Sequence, residues 1–337
     1  MKLLIYKEDG LGDSLFCIPL LKFFNNLNEN NLNKESIRIS FYSKYISFLQ
    51  LLFKNELNNI EFIDKKGVYS NFFDVVIFLG PISRFFNDIL FVKSKKKYSI
   101  IYKNKFLTNL VLKFFTITIL FEDINSVLNH EIFNIFNLVF YIFQKENLVN
   151  NQDINLNNSE LRTTLINFYS IDRFNYFKQR IDNLFLENFR NKYSINGGYI
   201  ILHITYKSFK NGISFKDYYD LINQFLKLDK IIFLVFGPLE LIYLKEFQKI
   251  KHNRLFILTN LDLVEYVSLC YKSDLFIGFD TGTCHLAAFS NAKKIISLYP
   301  DKIFHYNSIR YSPINNVSKI INLPYSSLKD IINFIIE

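Results

Sequence analysis

Short, almost uninterrupted apolar runs recur along this chain, and each stops at a Gly, Pro or polar turn that opens onto helical periodicity. Residues 74–79 (Asp-Val-Val-Ile-Phe-Leu) end in Gly80-Pro81, and residues 230–236 (Lys-Ile-Ile-Phe-Leu-Val-Phe) end in Gly237-Pro238. Runs of this length without polar alternation suit strands buried on both faces. Strands that alternate with helices imply parallel sheets with crossover helices, so the fold class is α/β.

The pattern repeats in two halves. In the first, a strand over 2–7 leads through Gly10-Leu11-Gly12-Asp13 into a helix over 14–27, with Leu15, Ile18, Leu21 and Leu27 at helical spacing. Strands at 37–42 and 60–63, with a helix over 45–54 between them, precede the run at 74–79. In the second half, strands are predicted at 199–204, 230–236, 255–258, 275–278 and 294–298. Helices are predicted at 215–228, 239–250, 262–272 and 285–290. Between them, residues 144–161 are crowded with Asn and poor in large apolar side chains, which marks a linker; a helix over 171–193 bridges to or opens the second half. Two domains are expected, 1–168 and 169–337, with ligands at the carboxyl ends of their strands.

A chain of 337 residues holds two cores of ordinary size. Phe (38) and Tyr (21) are abundant while Trp is absent, a pattern of AT-biased codon usage that makes aromatic residues weak markers of stacking platforms. The net charge of +9 suits anionic partners such as nucleotides or phosphorylated lipids. No nucleic-acid-binding motif is present, so nucleic acid is not an expected partner. The three cysteines (Cys17, Cys270, Cys284) form neither a disulfide framework nor a zinc-spaced set, which fits a reducing compartment. The N-terminus lacks the apolar core of a secretory signal. Residues 106–121 and 132–143 are greasy but interrupted by Asn and Lys or too short, where roughly 20 apolar residues are needed to span a bilayer. Both are expected as buried or interfacial helices of a cytoplasmic protein.

Three segments carry chemistry. In the run 274–288, a buried strand enters the turn Asp280-Thr281-Gly282 and opens onto a helix with small residues Ala287 and Ala288. Backbone N–H groups, Thr hydroxyls and the positive end of a helix dipole meet there, which suits a diphosphate. The same residues also fit a plain capped helix. Next, His203-Ile-Thr205-Tyr-Lys207-Ser-Phe-Lys210-Asn-Gly212 follows a strand; a lysine at a strand's carboxyl end can neutralise phosphate and Thr205 can donate a hydroxyl hydrogen bond, or the segment is a solvated loop. Finally, Gly10-Leu-Gly12-Asp13 places a carboxylate at a helix start, where the dipole is expected to keep it ionised and able to take a proton, or to act as an N-cap.

In this order and spacing, the segments resemble glycosyltransferase family 9, the lipopolysaccharide heptosyltransferases. The resemblance rests on Gly12, Asp13 and Pro19; on His203, Thr205 and Lys210; on Gly237, Pro238 and Glu240; and on Asp280, Thr281, Gly282, His285 and Leu286, with His130-Glu131 as a weaker match. Departures are Thr283 where the family has Pro, and Gly212-Ile213-Ser214 where it has Trp-Pro.

The resemblance implies a GT-B architecture of two facing Rossmann-like domains and an inverting transfer with no metal and no cofactor. The donor would be ADP-heptose or a similar nucleotide sugar, and the acceptor an anionic glycolipid of the lipopolysaccharide core or a related surface glycan. Asp13 would be the general base, supported by Gly12. Lys210, Thr205, Thr281 and Gly282 would hold the diphosphate, Asp280 the sugar and Glu240 the ribose. His285 would touch the phosphates or brace the loop. The lysines at 93, 95, 96, 97, 103 and 105, beside the greasy run 106–121, would suit a peripheral contact with the inner membrane face, or are simply a solvated loop. The same fold also serves other nucleotide sugars, including epimerisation, and a binding module without catalysis.

Overall fold

The computed structural model describes residues 1–30, 37–53, 55–80, 86–101, 106–121, 130–148, 159–169, 186–195, 197–271 and 273–331. Residues 149–158 of the Asn-rich stretch, 171–185 of the expected bridging helix, and Lys103 and Lys105 lie outside them. The chain divides into two compact units, Met1–Tyr169 and Ser170–Glu337.

The first unit carries β1 (Lys2–Lys7), β2 (Arg38–Ser43), β3 (Ile60–Phe62), β4 (Phe72–Phe78), β5 (Lys93–Ile101) and β6 (Ile117–Leu120). They form one sheet in the order β3-β2-β1-β4-β5-β6, every pairing parallel. Its helices are α1 (Leu11–Leu15), α2 (Ile18–Asn30), α3 (Ile46–Phe53), α4 (Lys65–Ser70), α5 (Phe86–Phe91), α6 (Phe106–Phe115), α7 (Glu131–Lys145) and α8 (Ser159–Asn167). Leu4, Tyr6, Val76, Phe78 and Ile89 are among the side chains of its buried core.

The second unit repeats the plan. Strands β7 (Tyr199–Ile204), β8 (Ile231–Phe236), β9 (Leu255–Thr259), β10 (Leu275–Phe279), β11 (Lys294–Tyr299) and β12 (Lys319–Pro324) form a parallel sheet in the order β12-β11-β10-β7-β8-β9. Helices α9 (Leu186–Lys192), α10 (Tyr206–Lys210), α11 (Phe215–Lys227), α12 (Leu244–Phe247), α13 (Leu263–Cys270), α14 (Gly282–Phe289) and α15 (Phe304–Arg310) surround it. Local chemistry sets the helix starts: Ser214 with Asp217, and Asp262 with Glu265, form reciprocal capping boxes. Ile200, Leu202, Leu234, Phe236 and Ile277 pack with Ile222 and Phe225 in its core.

In each sheet the chain reverses its direction of travel once, between β1 and β4 and between β7 and β10. Such switch points leave a crevice at the carboxyl ends of the strands, where ligands of open α/β sheets bind. The turns after β1, β7 and β10 are those that hold Asp13, Lys210 and Asp280.

Several readings of the sequence need correction. The helix expected over 14–27 is two helices, broken at Phe16–Cys17, with Pro19 in the first turn of α2, where its missing N–H costs nothing. The run 106–121 is not one greasy helix but α6 followed by strand β6. Lys93–Lys97 belong to strand β5 rather than to a loop. Residues 239–250 begin as a 3-10 turn (Pro238–Tyr243) before α12. Among the described residues, no helix is long and apolar enough to cross a membrane.

Candidate active site

In the second unit, two turns flank the switch point. After β10, Thr281 is the N-cap of α14 in extended conformation, yet its side chain does not cap the helix. The hydroxyl instead meets that of Thr283 at 2.6 Å, so the positive end of the helix has no side-chain cap, while the Cys284 N–H closes back on the Thr281 carbonyl at 3.1 Å. Close packing explains the small residues beneath. A Cβ on Gly278 would lie 2.6 Å from Phe276 and 2.8 Å from the Cys284 sulfur, so glycine lets α14 press against β10. Ala287 and Ala288 are fully buried on the same helix. His285 is buried in the first turn of α14.

After β7, the expected loop is the short helix α10. Thr205 caps it, accepting from the Ser208 N–H at 3.3 Å, and is itself buried. Glu240 accepts from the Tyr206 N–H at 2.9 Å and thereby ties the turn after β8 to the same helix. Its other carboxylate oxygen sits where a Cβ on residue 237 would be, at 2.6 Å, which is why Gly237 precedes Pro238.

These lysines have different stations. Lys207 donates to the Asp280 carbonyl at 2.8 Å, so its ammonium stands over the turn that starts α14. Lys210 is exposed and lines a cavity of about 810 Å³ with Gly212, Pro300, Asp301, Lys302 and Tyr325. Gly212, at φ +98°, takes a left-handed turn there that side chains rarely adopt. The Asp280 carboxylate accepts from Asn307 at 3.1 Å. Burial raises its pKa, while Lys207 and Asn307 pull it back.

The first unit builds a different site at the end of β1. Lys7, only 2% exposed, pairs with Asp9 at 3.0 Å, and Asp13 and Glu131 lie within electrostatic reach. Three carboxyls therefore surround one ammonium. Burial raises the Asp13 pKa, the Lys7 ammonium lowers it, Asp9 and Glu131 raise it, and the Gly10 N–H lowers it; the net shift is upward. Contrary to expectation, the helix dipole does not hold the Asp13 pKa down, because α1 is only five residues long and desolvation outweighs it. Gly80, at φ +132°, leaves room for the Asp9 carboxylate, which lies 2.1 Å from where a Cβ would stand. Gly12 is buried within α1, and α7 starts at Glu131 with His130 as its cap, Nδ1 accepting from the Ile132 N–H at 3.2 Å. Phe16 packs edge-on against His130, so the head of α7 is held beside the Asp13 turn.

The expected residues thus fall into two groups. Thr205, Lys210, Glu240, Asp280, Thr281, Gly282 and His285 gather at the carboxyl ends of β7, β8 and β10, and Asp13 with Gly12 at that of β1. Three participants were missed. Lys7 is a charged residue closing an apolar strand directly before a Gly turn, which was a readable signal. Lys207 shares its motif with Lys210, and only the fold shows that it reaches the Asp280 turn. Thr283 is a departure from Pro in the sequence, and the fold brings it against Thr281 and His203. Among the described residues, no group of three or more His, Cys, Asp or Glu side chains could hold a metal ion.

Two parallel six-stranded α/β units with polar turns at their switch points define a GT-B-type fold. Solved structures share it over nearly the whole chain. A family 9 glycosyl transferase from Veillonella parvula is 15% identical, covering 99% of this chain and 90% of its own, with a TM-score of 0.64. The E. coli heptosyltransferase WaaC with ADP is 12% identical, covering 99% of both chains, with a TM-score of 0.61. The UDP-GlcNAc 2-epimerase of Methanocaldococcus jannaschii is 15% identical, covering 99% of this chain and 92% of its own, with a TM-score of 0.52. No family model and no curated protein matches the chain. The family whose motifs the sequence resembles is therefore represented among solved structures of the same fold.

Proposed function

We propose that this protein is an inverting, metal-independent glycosyltransferase that moves a sugar from a nucleotide-diphosphate donor to an anionic glycolipid, in the lipopolysaccharide core or a related surface glycan. The observation that carries the reading is the start of α14. There an uncapped helix terminus, two Thr hydroxyls and the Lys207 ammonium meet at the switch point of a sheet whose fold neighbours include an enzyme solved with ADP.

In this reading, the α14 start and Lys207 take up the charge that builds on the leaving diphosphate, the step at which preorganised donors contribute most. Lys210 and its cavity, within the size range of small-ligand sites, receive another part of the donor. Asp280 addresses sugar hydroxyls and Glu240 the ribose, while His285 braces the loop. Asp13 takes the proton of the acceptor hydroxyl. Its raised pKa makes it the stronger base, and Lys7 keeps enough of it ionised to act. Division of the chain at about 168/169 into acceptor and donor domains belongs to the same proposal.

Membrane contact is assigned to α6 rather than to the lysines. Lys95 pairs with Asp74 and Lys96 with Glu146, and Lys97 donates to the Ile89 carbonyl, so these three ammonium groups already have partners within the unit. Leu110, Phe114 and Phe115 are exposed on α6, Phe114 by 78%. An exposed apolar helix face with Lys113 beside it suits the cytoplasmic surface of an inner membrane.

A thermal-shift screen against ADP-, UDP-, GDP- and CDP-linked sugars tests the reading, because a true donor stabilises the fold by mass action. Product analysis then separates transfer, which releases a nucleoside diphosphate and extends an acceptor, from epimerisation of the donor. Failure of all four sugars to stabilise the protein overturns the proposal.

A further inference from the structure

Thr283 hydroxyl oxygen lies 2.6 Å from the Thr281 hydroxyl and 2.8 Å from His203 Nδ1, joining residues 80 positions apart in one chain of hydrogen bonds. The chain starts in β7, crosses to the first turn of α14 and ends at the N-cap side chain, the hydroxyl left uncommitted to its own helix. A hydroxyl has one proton to give and two lone pairs to receive. With Thr283 donating in one bond and accepting in the other, the chain has two polarities. If Nδ1 accepts, Thr283 donates to His203, Thr281 donates to Thr283, and Thr281 offers only lone pairs outward. If Nδ1–H donates, Thr283 donates to Thr281, and the Thr281 proton is released toward whatever occupies the helix start.

We infer that His203 and Thr283 are positioning residues that set the polarity of Thr281, and that with a diphosphate bound His203 carries its proton on Nδ1 so that Thr281 donates to a phosphate oxygen. This rests on the diphosphate reading above. The electrostatics favour it. An anion at the start of a helix rewards a donor and penalises a lone pair. His203 is 6% exposed and bounded by the rings of Tyr266 and Phe276, so it stays neutral and its tautomer, not its charge, is the variable. Burial holds its pKa down at about 4. Where the related family has Pro at position 283, no hydroxyl would exist to close the chain, so the device belongs to this sequence.

The experiment uses the full chain with ADP and, separately, inorganic pyrophosphate. Long-range ¹H–¹⁵N spectra of ¹⁵N-histidine-labelled protein report which ring nitrogen of His203 is protonated, and titration calorimetry reports affinity for wild type, Thr283→Val and Thr283→Ser. The expected result is an Nδ1–H tautomer at saturation, binding weakened about tenfold in Thr283→Val, and recovery in Thr283→Ser, with thermal unfolding of all three within a few degrees. An Nε2–H tautomer in the saturated complex, or wild-type affinity in Thr283→Val, overturns the inference while leaving the diphosphate site standing. Absence of binding of both probes to folded wild type instead overturns the diphosphate reading, and this inference with it.

Discussion

Lys7 and Asp9 form an ion pair of 3.0 Å with both side chains buried, at the point where β1 turns toward Asp13. A buried pair is kept at a desolvation cost and is weak evidence for stability in itself. Here it leaves an ammonium shared among three carboxyls, and that charge opposes the burial that raises the Asp13 pKa.

Lys7→Met is therefore expected to change pH dependence before anything else. Without the ammonium, ionised Asp13 is less favoured, its pKa rises further, and deprotonation requires a higher pH. The acidic limb of kcat/KM should move upward by roughly 1–3 pH units. An unmoved or downward-shifted limb in a folded variant contradicts the role given to Lys7.

Gly80→Ala tests the packing that holds Asp9. At φ +132°, with the Asp9 carboxylate 2.1 Å from the new Cβ, the substitution strains the backbone and displaces an ion-pair partner. The expected loss is about 1–3 kcal/mol, read by urea unfolding. Wild-type stability would show that the turn relaxes freely.

The membrane assignment separates charge from apolar area. Phe114→Ser is expected to reduce binding to anionic vesicles several-fold, and Lys95→Ala to change it little, because Lys95 is already paired with Asp74. The reverse order would return the contact to the lysines.

How far the sequence reached follows from what each element depends on. Strands β1, β7, β8 and β10 are continuous apolar runs and were placed to within about one residue. Strand β5 was missed because its first half is Lys-Ser-Lys-Lys-Lys; pairing with β4 and β6 makes it a strand, and no local signal says so. Edge strand β12 is only partly buried and begins with Lys319, so its pattern is weak. The turn after β7 reads as a loop from composition, although Thr205 directly before Tyr206–Lys210 is an N-capping residue and Gly212 follows the helix end. The site residues were legible as types at spacings. Their relations were not: Lys207 above Asp280, and Thr283 against His203, join residues more than 70 positions apart and exist only once β7 and β10 are neighbours.

Division of labour between the two sites is the central claim, and one set of calorimetric and steady-state measurements tests it most directly. A nucleotide sugar selected by the thermal-shift screen is titrated into wild type, Asp13→Ala, Lys207→Ala and Lys210→Ala, with turnover measured alongside. Asp13→Ala is predicted to lose about 10²–10⁴ in kcat with donor affinity unchanged. Each lysine variant is predicted to bind the donor about tenfold or more weakly, as loss of a charge-assisted contact requires. Full turnover without the Asp13 carboxylate, or donor affinity indifferent to both lysines, would contradict the account.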